Sequence, residues 1–78
     1  MVVGEREFER LRAWRWERAE GKPAYTVATN VVLEEALRRR PRSVEELSEI
    51  RGIGPAFCAR HGESLLGALE RLEEGGAG

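Results

Sequence analysis

Seventy-eight residues suffice for one small domain and leave no room for a second; a fold of this size buries only about 60% of its unfolded surface, too little to hollow out a catalytic cleft of the usual few hundred Å³. Hydrophobic residues make up 41% of the chain while glycine and proline sit at discrete positions, which excludes a disordered polymer. The net charge of −1 gives no global pull toward nucleic acid or an acidic membrane, so any nucleic-acid binding must be local.

In chain order, Met1 to Gly4 reads as an N-terminal extension and residues 5–73 as the domain. Glu5 to Ala19 is rich in helix formers, with Phe8, Leu11 and Trp14 at helical spacing and Ala19 a turn further on. Gly21-Lys22-Pro23 breaks this first helix, because proline disfavours helical backbone in the residue before it and glycine takes the left-handed cap. An extended linker, Lys22 to Val27, follows. Thr29 or Asn30 caps a second helix with Val32 or Val31, Leu33, Ala36 and Leu37 on its apolar stripe; Arg38 to Arg40 complement its C-terminus and Pro41 stops it. Ser43-Val44-Glu45-Glu46 has the form of a capping box opening a short third helix that buries Val44, Leu47 and Ile50. Gly52-Ile53-Gly54-Pro55 turns the chain into a brief fourth helix, with Pro55 at the first helical position. Gly62 ends that helix, and Ser64 to Leu72 makes a fifth with Leu65, Leu66, Leu69 and Leu72 inward. Residues 74–78 form a flexible, polar tail. No segment alternates with period two for long enough to build a sheet.

Two stretches are more specific than composition: Leu11-Arg12-Ala13-Trp14-Arg15 followed by Ala19 and Pro23-Ala24-Tyr25, and Glu46-Leu47 with Ile50-Arg51-Gly52-Ile53-Gly54 and a later Gly62. In this order, with Leu33 between them, they resemble the HRDC domain, the helicase-and-RNase-D C-terminal module of RecQ-type helicases and RNase D. The likeness runs from about Phe8 to Leu72. It implies an all-α, compact five-helix bundle with an extended linker between helices 1 and 2. The bundle would be appended to a catalytic chain, where it helps engage single-stranded or structured nucleic acid. In such relatives basic residues near the first helix, the linker and neighbouring helix ends carry the contact, which here points to Arg15, Lys22 and Tyr25. The chain departs from that pattern at Ala28, where relatives often have a large aromatic, and at Asn30, where they often have an acidic cap. It departs again at Ala56, Phe57 and Glu63, where basic residues are common.

The residues themselves leave paired readings open. Lys22 beside Tyr25 is a minimal unit for stacking a base while tracking a backbone; Tyr25 can equally pack its ring on helix one. The glycines around Ile53 can expose amides to a phosphate, with Arg51 and Arg60 supplying charge, or serve only as a tight connection. Arg38, Arg39 and Arg42 belong to the densest positive run, suited to phosphate or acidic-partner contact or simply to a helix C-terminus. Trp16 lies off the apolar stripe and is either an interface anchor or a cover for the core edge. Glu45, Glu46, Glu49 and Glu63 offer an acidic surface for docking onto a basic partner.

Cys58 and His61 lack a third orienting group for nucleophilic catalysis, and with one Cys, one His and no Asp the chain cannot assemble a disulfide framework or a single-chain tetrahedral zinc site. The expectation is therefore a monomeric, cytoplasmic, non-catalytic accessory domain of a RecQ-like DNA helicase, without metal or cofactor and without a membrane segment. Its expected partners are single-stranded or partially duplex DNA, bound weakly, and the catalytic core or sister domains of the parent helicase. The competing expectation is a docking module that regulates the helicase through charged patches with no direct DNA contact.

Overall fold

The computed structural model describes residues 5–77, with side chains for residues 5–72, so the N-terminal extension expected over residues 1–4 lies outside the described residues. Helix α1 spans Glu5–Ala19, a 3-10 turn covers Ala24–Thr26, α2 spans Asn30–Arg39 and α3 spans Val44–Ser48. The last element, α4, is continuous: α-helical Pro55–Phe57 runs into a π-helical segment, Cys58–Gly62, and then into α-helical Glu63–Ala77. Among the described residues there are four helices and no strand.

The difference from five helices has a local cause. Gly62 was expected to terminate a helix, yet only Gly21 and Gly52 among the described glycines take positive φ, so Gly62 keeps helical backbone and the surplus residue is absorbed as a π turn. Gly62 is buried, and a Cβ there would meet Leu47 and Val44 methyls at 3.7 Å, an ordinary contact. Helical backbone continues to Ala77, through residues read from composition as a polar tail.

The caps follow the sequence more closely. Thr29 is the N-cap of α2, its side chain accepting from the Val32 amide, and Arg40 closes the helix in left-handed backbone at φ 48° just before Pro41. At α3, Ser43 Oγ accepts from the Glu46 amide at 3.2 Å, but Glu46 Oε1 accepts from the Arg42 amide at 2.8 Å, so the reciprocal arm reaches one residue further back than a capping box requires.

Leu11, Leu33, Leu47, Ile50 and Leu65 are the largest fully buried side chains, with Val32, Leu37, Leu69 and Leu72 closing the core around them. Truncating one of these leucines to alanine is worth about 2–5 kcal/mol in a close-packed interior. Of the two valines at the start of α2, Val32 is buried and Val31 is 65% exposed. Val44, expected inward, is 38% exposed; on the first turn of a five-residue helix it covers the edge above Gly62 while Leu47 and Ile50 fill the interior. Trp14 is half-buried and donates its Nε1–H to Ser64 Oγ at 2.9 Å, pinning α1 to α4. The Cα radius of gyration, 11.7 Å, matches the roughly 11.5 Å of a compact chain of this length.

Candidate nucleic-acid interface

The C-terminus of α1 is shaped by two consecutive left-handed residues, Glu20 at φ 51° and Gly21 at φ 85°, which fold the chain back so that the Lys22 amide donates to Ala19 O at 3.0 Å. Pro23 follows, and its carbonyl accepts from the Thr26 amide at 3.0 Å and Thr26 Oγ1 at 2.7 Å. The linker is therefore a 3-10 turn over Ala24–Thr26 and not extended throughout. That turn leaves Tyr25 on its outer side, 72% exposed.

Arg15 holds the far end of the linker. Its Nη1 donates to Ala28 O at 3.1 Å and to Asn30 Oδ1 at 2.8 Å, and the residue is 8% exposed. This differs from the surface contact expected of it: Arg15 is withdrawn from solvent and fastens the start of α2 to α1. Its partners are neutral, its Nε is buried with no partner, and burial, followed by the nearby Arg12 charge, lowers its pKa. An acidic side chain at Asn30 would have supplied the missing counter-charge.

A groove of about 360 Å³ opens between the α1 terminus, the linker and the π segment of α4, lined among others by Arg18, Glu20, Lys22, Thr26, Arg60 and His61. Arg18 Nε donates to His61 Nδ1 at 3.1 Å and Arg18 Nη2 to Arg60 O at 3.0 Å, so two acceptors from the π turn orient the guanidinium. Because Nδ1 accepts, the neutral imidazole carries its proton on Nε2. Trp14 meets the His61 ring edge-on at 6.3 Å and Phe57 lies tilted against it at 5.4 Å. Burial, then the charges of Arg18 and Arg60, push the His61 pKa below its ordinary value. Among the described residues none of Arg18, Lys22 and Arg60 is in an ion pair.

Of the residues singled out in the sequence, Lys22 and Arg60 thus share one groove, with Tyr25 in the adjoining turn. Arg38 and Arg39 sit at the α2 terminus, both engaged by Glu35 at 3.7 and 3.2 Å. Arg42 is exposed and lines a smaller groove of about 170 Å³ together with Arg40, Leu66 and Leu69. Arg51 is exposed next to Gly52, whose φ is 99° and where a Cβ would stand only 2.9 Å from Val32 Cγ2, so the glycine turn has a packing role. Glu45, Glu46, Glu49 and Glu63 are exposed, and Trp16 is 71% exposed. The sequence reading missed Arg18 and set His61 aside. The available signal was phase: Arg18 continues the Leu11, Trp14, Arg15 series at helical spacing, which places it at the margin of the buried stripe.

The HRDC domain family profile matches residues 5–69. The chain belongs to the HRDC domain family. This HRDC domain superposes on the third HRDC domain of D. radiodurans RecQ with a TM-score of 0.80 and 35% sequence identity, covering 85% of this chain and 90% of that one. It is also 38% identical over 47 residues to the ATP-dependent DNA helicase Q-like 4B of Arabidopsis thaliana; the match takes in 60% of this chain and 4% of that protein. The chain thus spans a small fraction of the curated relative it matches. Where HRDC relatives often carry basic residues, this domain has Ala56 exposed and Phe57 half-buried against His61. Its groove cations come instead from α1, the linker and the π turn.

Proposed function

We propose that this HRDC domain is a non-catalytic accessory unit of a RecQ-like helicase that engages single-stranded DNA at the Arg18–Lys22–Arg60 groove and tunes the substrate binding of the parent enzyme. The observation that carries the reading is the convergence at one concavity of Arg18, Lys22 and Arg60, none in an ion pair among the described residues, with Tyr25, 72% exposed, in the turn that supplies its Thr26 lining. Phosphates supply the missing negative charge and Tyr25 offers a face for a base, a contact worth about 1–3 kcal/mol. With about three phosphate charges neutralised, log affinity should fall with log salt at a slope near −2. Binding of that kind is weak in isolation, and tethering raises it through an effective concentration of order mM. On this reading the domain works in the cytoplasm as a monomer, with single-stranded or partially duplex DNA and the catalytic core or sister domains as partners. Arg15 acts indirectly, by fixing the linker that presents Tyr25.

A second reading has its own support. Glu45 on α3 and Glu49 at its C-cap are exposed, and Trp16 is 71% exposed; both features suit docking onto another domain without DNA contact. Salt-titrated anisotropy with labelled single-stranded DNA separates the two. The DNA reading expects salt-dependent binding that weakens in Tyr25→Ala and Lys22→Gln. Negligible binding by wild type and both variants would leave interdomain docking as the function.

A further inference from the structure

We infer that the groove receives a terminal phosphomonoester of a nucleic-acid strand, with the end nucleotide laid against Tyr25, and not an internal stretch of backbone; this rests on the DNA reading above. A strand passing through needs cations spread along a track, one diester charge at a time. Here Arg18, Lys22 and Arg60 line a single concavity of about 360 Å³, and among its described lining residues Glu20 is the one carboxylate. A phosphomonoester carries close to two negative charges at neutral pH, against one for a diester, so it matches that concentration of positive charge better.

The donors are also set in advance. Arg18 is held by His61 Nδ1 and by Arg60 O, which leaves the Nη1 amino group uncommitted. A guanidinium so oriented loses little freedom on gripping a planar pair of phosphate oxygens. The same hydrogen bond makes His61 Nε2 a neutral donor on the groove wall. Thr26 and Val27 line the groove, and Tyr25, 72% exposed, is the residue before them in the chain, within reach of an end nucleotide whose phosphate sits in the groove. A strand end is thereby distinguished from its interior by charge alone, without base readout.

The test compares short single-stranded oligonucleotides of one sequence bearing a 5′-phosphate, a 3′-phosphate or hydroxyl ends, by anisotropy at fixed salt, with inorganic phosphate followed by the His61 imidazole resonances. At least one phosphorylated end should bind about fivefold tighter than the hydroxyl-ended strand. Lys22→Gln, at an exposed linker position that does not threaten the fold, should remove most of that difference. Inorganic phosphate should shift the His61 signals and compete with the phosphorylated strand more than with the hydroxyl-ended one. Equal affinity for all three strands would overturn the inference and leave the DNA reading standing. Absence of binding by every strand would overturn the DNA reading itself. A His61 response to inorganic phosphate with no advantage for phosphorylated strands would reassign the groove to a free phosphate compound and overturn the strand-end assignment.

Discussion

At the C-terminus of α2, Arg38 and Arg39 both reach Glu35, and Arg40 pairs with Glu7 across the bundle. At the C-terminus of α1, Arg18, Lys22 and Arg60 arrive from a helix, a linker and a π turn, and among the described residues none has a carboxylate within ion-pair distance. The first region holds the densest positive run in the sequence; the second is not visible as a run at all. Charge available to a ligand is what remains after neighbours have been counted. Helix neighbours at three and four residues neutralise Arg38 and Arg39 at the α2 terminus, while the fold brings cations without a carboxylate partner together at the α1 terminus.

Arg15→Ala should have the largest effect, and on stability. The truncation leaves Ala28 O and Asn30 Oδ1 without their donor and opens a void beside α2, a loss of about 2–3 kcal/mol in chemical denaturation. The salt slope of DNA binding by the folded fraction should stay as in wild type, which separates a positioning residue from a contact. The companion Asn30→Asp should raise stability by about 1 kcal/mol, since a carboxylate there faces a buried guanidinium and the first turn of a helix together.

The double variant Arg18→Gln/Lys22→Gln should lose about tenfold in single-stranded DNA affinity at low salt. Arg38→Gln/Arg39→Gln removes the same formal charge from the paired region and should cost less than about twofold. Equal losses in the two doubles would erase the distinction between the regions. Glu35→Gln sharpens it from the other side: releasing Arg38 and Arg39 should raise affinity by about twofold.

The smallest effect is expected from pH. The His61 pKa is held below the ordinary 6.5 by burial and then by Arg18 and Arg60, so the unfolded chain takes up a proton more readily than the folded one. The stability from this group is complete above 6.5 and is lost as pH falls below it toward the lowered folded value. The His61 ring protons, followed by NMR, should titrate below 6.5 in wild type and closer to it in Arg18→Gln. An unchanged midpoint in that variant would contradict the Arg18 contact.

Much of the fold was legible in the residues. The period of Phe8, Leu11 and Trp14 with the Gly21-Lys22-Pro23 break marks α1 from Glu5 to Ala19 as observed, and Thr29, Pro41 and Ser43 fix the ends of α2 and the start of α3. The failure at Gly62 is physical: glycine ends a helix only where the backbone turns left-handed, and packing of Leu47 and Val44 over the π turn instead keeps the chain helical. The candidate groove was half legible. Lys22 and Arg60, which the structure brings to its lining, and the exposed Tyr25 are singled out by chemistry and resemblance. The burial of Arg15 depends on where Ala28 and Asn30 return to α1, and the role of Arg18 on a histidine 43 residues away, distances that local pattern does not encode.

Amide chemical-shift perturbation during titration of the domain with a short single-stranded oligonucleotide tests the groove assignment most directly. Perturbed amides should cluster at residues 18–27 and 58–62 and revert as salt is raised. Perturbations centred on residues 35–46 with the groove unmoved would contradict it.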